Sequence, residues 1–239
     1  MTRDDRRART PAQARRAGWG SEPLDPADRD ALAQRSLAAL RARCPGSRAE
    51  LRGSLARETA DPYSDIDLAW IVPDADFDDC AAGAAACLGQ VREVVSVRSD
   101  PELQRSSKRR LLFVNFRDLP LFWRVDLEIS AESVADDPAY DRDNPLARGD
   151  DWSAAASALA NAVAAVKAVL RQRPDTAWGL LERGLRRVGA PDAVTGRWQE
   201  DVVRLTDAAV RQEPAQRPLA DRVVRLATDL LPPGRRASD

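Results

Sequence analysis

The chain changes its apolar rhythm partway along. Asp25-Pro26 places a capping carboxylate ahead of a first-turn proline, so a helix opens there. Leu32, Leu37 and Leu40 supply its buried stripe, and Pro45-Gly46 stops it. Leu51 to Leu55 reads as a short strand running into a polar turn. Ile66 to Val72 is a β-prone apolar run ended by Pro73, residues 77–90 are an Ala-rich helix, and Val91 to Val97 is a strand. Leu111–Phe116 and Leu121–Ile129 predict a hairpin linked by Arg117-Asp118-Leu119-Pro120. After residue 150 the strand pattern gives way to helical spacing. Asp151 is the expected cap of a helix reaching Arg171, with Leu159, Val163, Val166 and Leu170 as its stripe. Three more helices are predicted. One covers residues 176–188, one carries Val194, Trp198, Val202, Leu205 and Ala209, and one carries Leu219, Val223, Leu226 and Leu230. Short links between amphipathic helices suggest an antiparallel bundle. The expected class is α+β, a mixed sheet with flanking helices followed by an all-α bundle. The expected division is a tail over 1–22, a mixed domain over 23–148, a helical domain over 149–234 and a tail over 235–239.

At 239 residues and 44% hydrophobic, the chain can bury one large core or two modest ones. A net charge of −1 disfavours a nucleic-acid binder. No apolar run approaches the roughly 18 residues of a membrane span, and the start has no signal-peptide core, so a cytoplasmic protein without a membrane partner is expected. Cys44, Cys80 and Cys87 are too few, and odd in number, for a disulfide framework. Histidine is absent, which excludes His-based triads, His zinc sites and histidine bases. All but two of the 37 basic residues are arginine, so Lys108 and Lys167 stand out. Residues 1–16 carry six arginines against Asp4 and Asp5 and read as a solvated, unstructured tail. Residues 136–151 carry six aspartates against Arg142 and Arg148. That segment reads as a linker with helix caps, or as an acidic lining that attracts a cationic acceptor.

The chemistry concentrates in Gly53-Ser54-Leu55-Ala56-Arg57 and Tyr63-Ser64-Asp65-Ile66-Asp67-Leu68. Asp65 and Asp67 lie two apart at a strand start, so both carboxylates point one way with Cα atoms about 6.5–7 Å apart. Like charges side by side repel, and a hard divalent cation resolves the repulsion. Gly53 lets backbone approach a phosphate, Ser54 adds a hydroxyl, and Arg57 adds a cation. Asp126 and Glu128 share one face of a later strand whose other face is apolar. Lys167 sits at the edge of an apolar stripe, where a snorkelling lysine is the plain alternative to a ligand contact. Trp152, Trp178 and Trp198 read as core anchors.

The run Gly-Ser-x-x-Arg followed by Ser-Asp-Ile-Asp-Leu resembles the signature of the DNA polymerase beta-like nucleotidyltransferase superfamily. From Gly53 to Leu68, with Thr59 and Tyr63-Ser64, it is similar to the aminoglycoside nucleotidyltransferases. Glu58 departs from the pattern, standing where many relatives have glycine or a small residue. The resemblance implies that Gly53 and Ser54 contact a triphosphate, with Ser64, Arg57 and Lys167 also on the nucleotide. It implies that Asp65, Asp67 and Asp126 hold one or two Mg2+, with Mn2+ as a substitute, and that Asp126 or Glu128 deprotonates the acceptor. Two metals would stabilise entering and leaving oxygens in an in-line displacement. The implied partners are a nucleoside triphosphate, ATP in the first instance, and a small-molecule acceptor such as a cationic aminoglycoside, which would mean antibiotic resistance. A monomer or homodimer is expected. Two other readings stay open: an antitoxin-type enzyme that adenylylates protein, and a non-catalytic module of the same fold.

Overall fold

The computed structural model describes residues 25–191 and 193–232. The expected tails at 1–22 and 235–239 lie outside them. Helix α1 (Pro26–Arg43) starts as predicted, with the Asp25 carboxylate accepting from the Ala27 amide at 2.9 Å. It buries Leu32, Leu37 and Leu40. Strand β1 (Arg48–Leu51) lies earlier than the sequence suggested, and the residues expected to extend it form a one-turn helix, α2 (Gly53–Ala56). The Arg52 amide donates to the Asp67 carbonyl at 2.8 Å, and Gly53, at φ 57°, then turns the chain out of the sheet.

The remaining strands are β2 (Ile66–Val72), β3 (Val94–Ser99), β4 (Arg109–Phe116) and β5 (Val125–Ala131), with α3 (Phe77–Gly89) between β2 and β3. They form one mixed sheet in the order β1-β2-β5-β4-β3, in which only β2 and β5 run parallel. The predicted hairpin exists as β4 and β5, but β5 begins at Val125 rather than Leu121. Residues Leu121–Trp123 instead make a 3-10 turn that buries all three side chains.

Register assigns the two faces. Ile66, Leu68 and Trp70 lie opposite Val125, Leu127 and Ile129, and all six are buried on the face packed by α1 and α3. The other face carries Asp67 opposite Asp126, and Phe113 opposite Asp126 from the far side.

The second half is helical: α4 (Ala154–Leu170), α5 (Pro174–Arg187), α6 (Trp198–Gln212) and α7 (Arg217–Leu230). Ser153, not Asp151, caps α4, its hydroxyl accepting from the Ala156 amide at 2.9 Å. Val194 precedes α6 rather than belonging to it. The architecture is α+β, a five-stranded mixed sheet with flanking helices followed by C-terminal helices. Of the three tryptophans predicted as core anchors, Trp198 is half-buried and packs against the core, while the other two depart from that expectation. Trp178 is 39% exposed and meets Trp198 edge to face at 6.4 Å, while Trp152 lies under Arg187 at 5.5 Å. No described helix is long and apolar enough to cross a membrane.

Candidate active site on the open face of the sheet

Asp67 and Asp126 are direct register partners on the two parallel strands. Adjacent strands lie about 4.8 Å apart, so the two carboxylates are neighbours on one face. Asp65, just before β2, completes the acidic group. Burial, then the charges of Asp65 and Asp126, push the Asp67 carboxyl up to about 6. Gly53 packs against Asp67 so closely that a Cβ there would stand 1.8 Å from its Oδ2. The glycine is therefore demanded both by its backbone angle and by the carboxylate lying on it.

Two cations answer these charges. Lys167 reaches from α4 to Asp65, Nζ to Oδ2 at 3.2 Å, with its side chain only 12% exposed. That burial and pairing are not the behaviour of a snorkelling lysine. Arg124 grips both oxygens of Asp126, Nε and Nη2 at 2.5 and 2.6 Å. Burial opposes the Arg124 charge, but the bond to Asp126 and the nearby Asp65 and Asp67 hold its pKa above the ordinary value.

The other predicted residues divide. Ser54 sits half-buried in α2, whose N-cap residue offers no side-chain bond to the first amides. Arg57 is exposed at the end of that turn. Glu58 has φ 56°, which accounts for glycine being usual there. Ser64 is buried with its hydroxyl committed elsewhere. It donates to Asp61 Oδ1 at 3.0 Å and accepts from the Asp61 amide and Arg171. These bonds shape the loop before β2. Glu128 lies opposite Ala69, farther along β5, and is bound by Arg109. Between Asp126 and Glu128, Asp126 alone faces Asp67.

Sequence reasoning found Lys167 but missed the arginines that hold the site. Arg171 donates to both Asp61 oxygens at 2.6 and 2.7 Å, holding that carboxyl down near about 2. Arg29 is buried and donates to the Asp61 carbonyl at 2.5 Å, and the Trp123 indole donates to the Pro62 carbonyl at 3.2 Å. Together they clamp the loop that delivers Asp65. Arg171 was findable, standing one helical turn after Lys167. Arg124 was findable two residues before Asp126. Both were hidden by the abundance of arginine.

The oxygen donors and the excess negative charge suit a hard divalent cation. As the side chains stand, no group of three His, Cys, Asp or Glu among the described residues is arranged to hold a metal, and Arg124 and Lys167 engage two of the three carboxylates. Of the acidic segment, the exposed Asp151 lines a cavity between β3, β4 and α4, while other aspartates are engaged elsewhere. Asp141 bonds Ser106 and Asn144, and Asp150 pairs with Arg105.

No family model matches the chain, and no curated protein does. Among solved structures it is similar to a chain titled "structure of GLD-2/RNP-8 complex", at 14% identity and a TM-score of 0.27, over 88% of this chain and 68% of that one. Likeness at that level carries no information about chemistry.

Proposed function

We propose that the protein is a metal-dependent nucleotidyltransferase that moves a nucleoside monophosphate, AMP from ATP in the first instance, onto a hydroxyl of a small molecule. One observation carries this reading. Asp67 and Asp126 stand side by side on parallel strands with a glycine pressed against the Asp67 carboxylate. On this reading residues 23–148 are the catalytic part and residues 149–234 close over it.

Asp65, Asp67 and Asp126 would hold Mg2+, or Mn2+ in its place. A bound ion supplies charge neutralisation at the phosphate oxygens. The α2 amides and the Ser54 hydroxyl receive the triphosphate, and Lys167 offsets its charge. The acceptor oxygen forms a bond to the α-phosphorus as the bond to pyrophosphate breaks, and Asp126 takes the hydroxyl proton. Arg124 then has a second task, because it neutralises Asp126 until substrates arrive. The presence of all three carboxylates favours this reading over a non-catalytic module.

The test is incubation of the full chain with magnesium and each labelled nucleoside triphosphate, against hydroxylated small molecules and against cell lysate. Label on a small molecule is expected, and label confined to a protein band would favour the protein-modifying alternative. Asp67→Asn should cut transfer by at least about a thousandfold with the fold unchanged; wild-type rates in that variant would refute the reading.

A further inference from the structure

A cavity of ≈ 410 Å³ adjoins the carboxylates on the β4-β3 side, between the sheet and α4. Register aligns four residues in one row across four strands. Arg98 lies opposite Phe113, Phe113 opposite Asp126, and Asp126 opposite Asp67. At about 4.8 Å per strand, Arg98 stands on the order of 10 Å from Asp126, backbone to backbone. The guanidiniums of Arg98 and Arg124 both lie against the Phe113 ring, 4.4 and 4.7 Å from its centroid.

These two cations are not equivalent. Arg124 has Asp126 as its counter-ion. Arg98 forms no side-chain ion pair or hydrogen bond among the described residues; burial first and the neighbouring Arg124 next work against its charge, and the more distant Asp126 and Asp100 offset them only in part. An arginine on an edge strand can turn to water at little cost. This one stays in the cavity wall on the Phe113 ring, beside a like charge and without a bonded counter-ion, so an anionic group entering the cavity meets an available cation. The rest of the lining, which includes the exposed Asp151, suits a small organic molecule. Ala160 and Val163 of α4 give an apolar roof, and Asn115 and Ser96 give polar contacts on the sheet. The same helix carries Lys167 one turn beyond Val163, so cavity and carboxylates share one roof. The glycine–serine turn lies on the opposite, β1 side, which leaves this flank for the acceptor.

We propose that this cavity is the acceptor site, and that the acceptor is an anionic hydroxyl compound, with Arg98 binding its carboxylate or phosphate while Asp126 faces its hydroxyl. This rests on the nucleotidyltransferase reading for the transfer step, but the binding site stands on its own geometry. It replaces the cationic acceptor that the sequence suggested, since a polycation would meet a guanidinium with no bonded counter-ion here.

The test separates binding from transfer. Glucose 6-phosphate, glycerol 3-phosphate and gluconate are the anionic probes, glucose and glycerol the neutral ones and kanamycin the cationic one. Each is titrated against the full chain by ligand-observed NMR, with magnesium-ATP binding measured alongside. At least one anionic probe should bind, with affinity falling at least about tenfold in Arg98→Gln and magnesium-ATP binding unchanged. Asn115→Asp, which adds a negative charge to the same wall and leaves the stacked ring intact, should weaken the same probe by a similar factor. That second variant decides the matter if the first fails to fold. Binding of no anionic probe, equal binding in both variants, or preference for glucose or kanamycin would overturn the proposal. Arg98-dependent binding without transfer from any nucleotide would keep the site and remove the nucleotidyltransferase reading.

Discussion

At the scale of single residues, the site turns on a glycine and the carboxylate above it. Alanine at Gly53 would place a Cβ 1.8 Å from Asp67 Oδ2 in a backbone conformation that side chains disfavour. Gly53→Ala should cost about 1–3 kcal/mol in chemical denaturation. It should also abolish any magnesium-induced rise in melting temperature; an unchanged magnesium response would show that Asp67 is not held by this contact. Asp67 itself makes a pH prediction. Its carboxyl is raised to about 6 by burial and two neighbouring carboxylates. A raised folded-state pKa gives a contribution that is fully present below the ordinary carboxylate pKa and is lost as pH rises through about 6. The metal-free protein should therefore lose stability between pH 4 and 7 on this residue's account. Asp67→Asn should recover about 1–2 kcal/mol at pH 7 after allowance for solvent screening, and denaturant midpoints across that range test it. Asp65 and Asp67 were legible as a pair from their two-residue spacing, although Asp65 precedes β2 rather than lying on it. That Asp126 joins them came only from the family resemblance, since pairing register is a property of two strands rather than one.

At the scale of elements, local pattern located most of the fold, and its errors have local causes. The strand expected over residues 51–55 ended at Leu51 because a left-handed glycine follows the last ladder bond. The α4 cap moved two residues because Ser153, not Asp151, can reach the Ala156 amide. The 3-10 turn of Leu121–Trp123 read as strand because three large apolar residues in a row satisfy either geometry. What no local pattern could supply was the clamp on the loop before β2, where Asp61 meets Arg171 across 110 positions of sequence. Arg171→Ala should free the Asp61 carboxyl and loosen the loop that presents Asp65. The expected result is a fall in turnover of roughly tenfold to a hundredfold, with faster exchange of the amides of residues 63 and 64. Unaltered exchange would remove Arg171 from the positioning role. Because the Asp61 pKa is lowered to about 2, the stabilisation from this pair is present above the ordinary carboxylate pKa and is lost only as pH falls through about 2.

At the scale of the whole molecule, the helical half does more than cover the sheet. Lys167 of α4 and Arg171 at its C-cap both reach aspartates of the loop that enters β2, and Arg222 of α7 donates to the Leu119 carbonyl at 2.8 Å. The site is therefore assembled from both halves. Its overall charge balance differs from the one that sequence segments suggest. The acidic stretch over 136–151 promised a negative cleft, yet Asp141 bonds Asn144 and Ser106, and Asp150 pairs with Arg105. Only Asp151 of that stretch joins the cavity wall beside the carboxylates, which also carries Arg98 and Arg124. Charge counted along the chain says little about which face receives it, since strand order brings β3 and Arg124, which leads into β5, to the same cavity. This arrangement makes Arg124 a competitor for any cation that Asp126 is to hold. With Arg124→Gln, Asp126 loses a bidentate counter-ion, and a divalent cation no longer has to displace one. Magnesium affinity, read by calorimetry on the full chain, should rise by about tenfold on losing one charge-assisted competitor. Weaker magnesium binding in that variant would mean that Arg124 supports the ion rather than opposing it, and that the ion is shared by Asp65 and Asp67 alone.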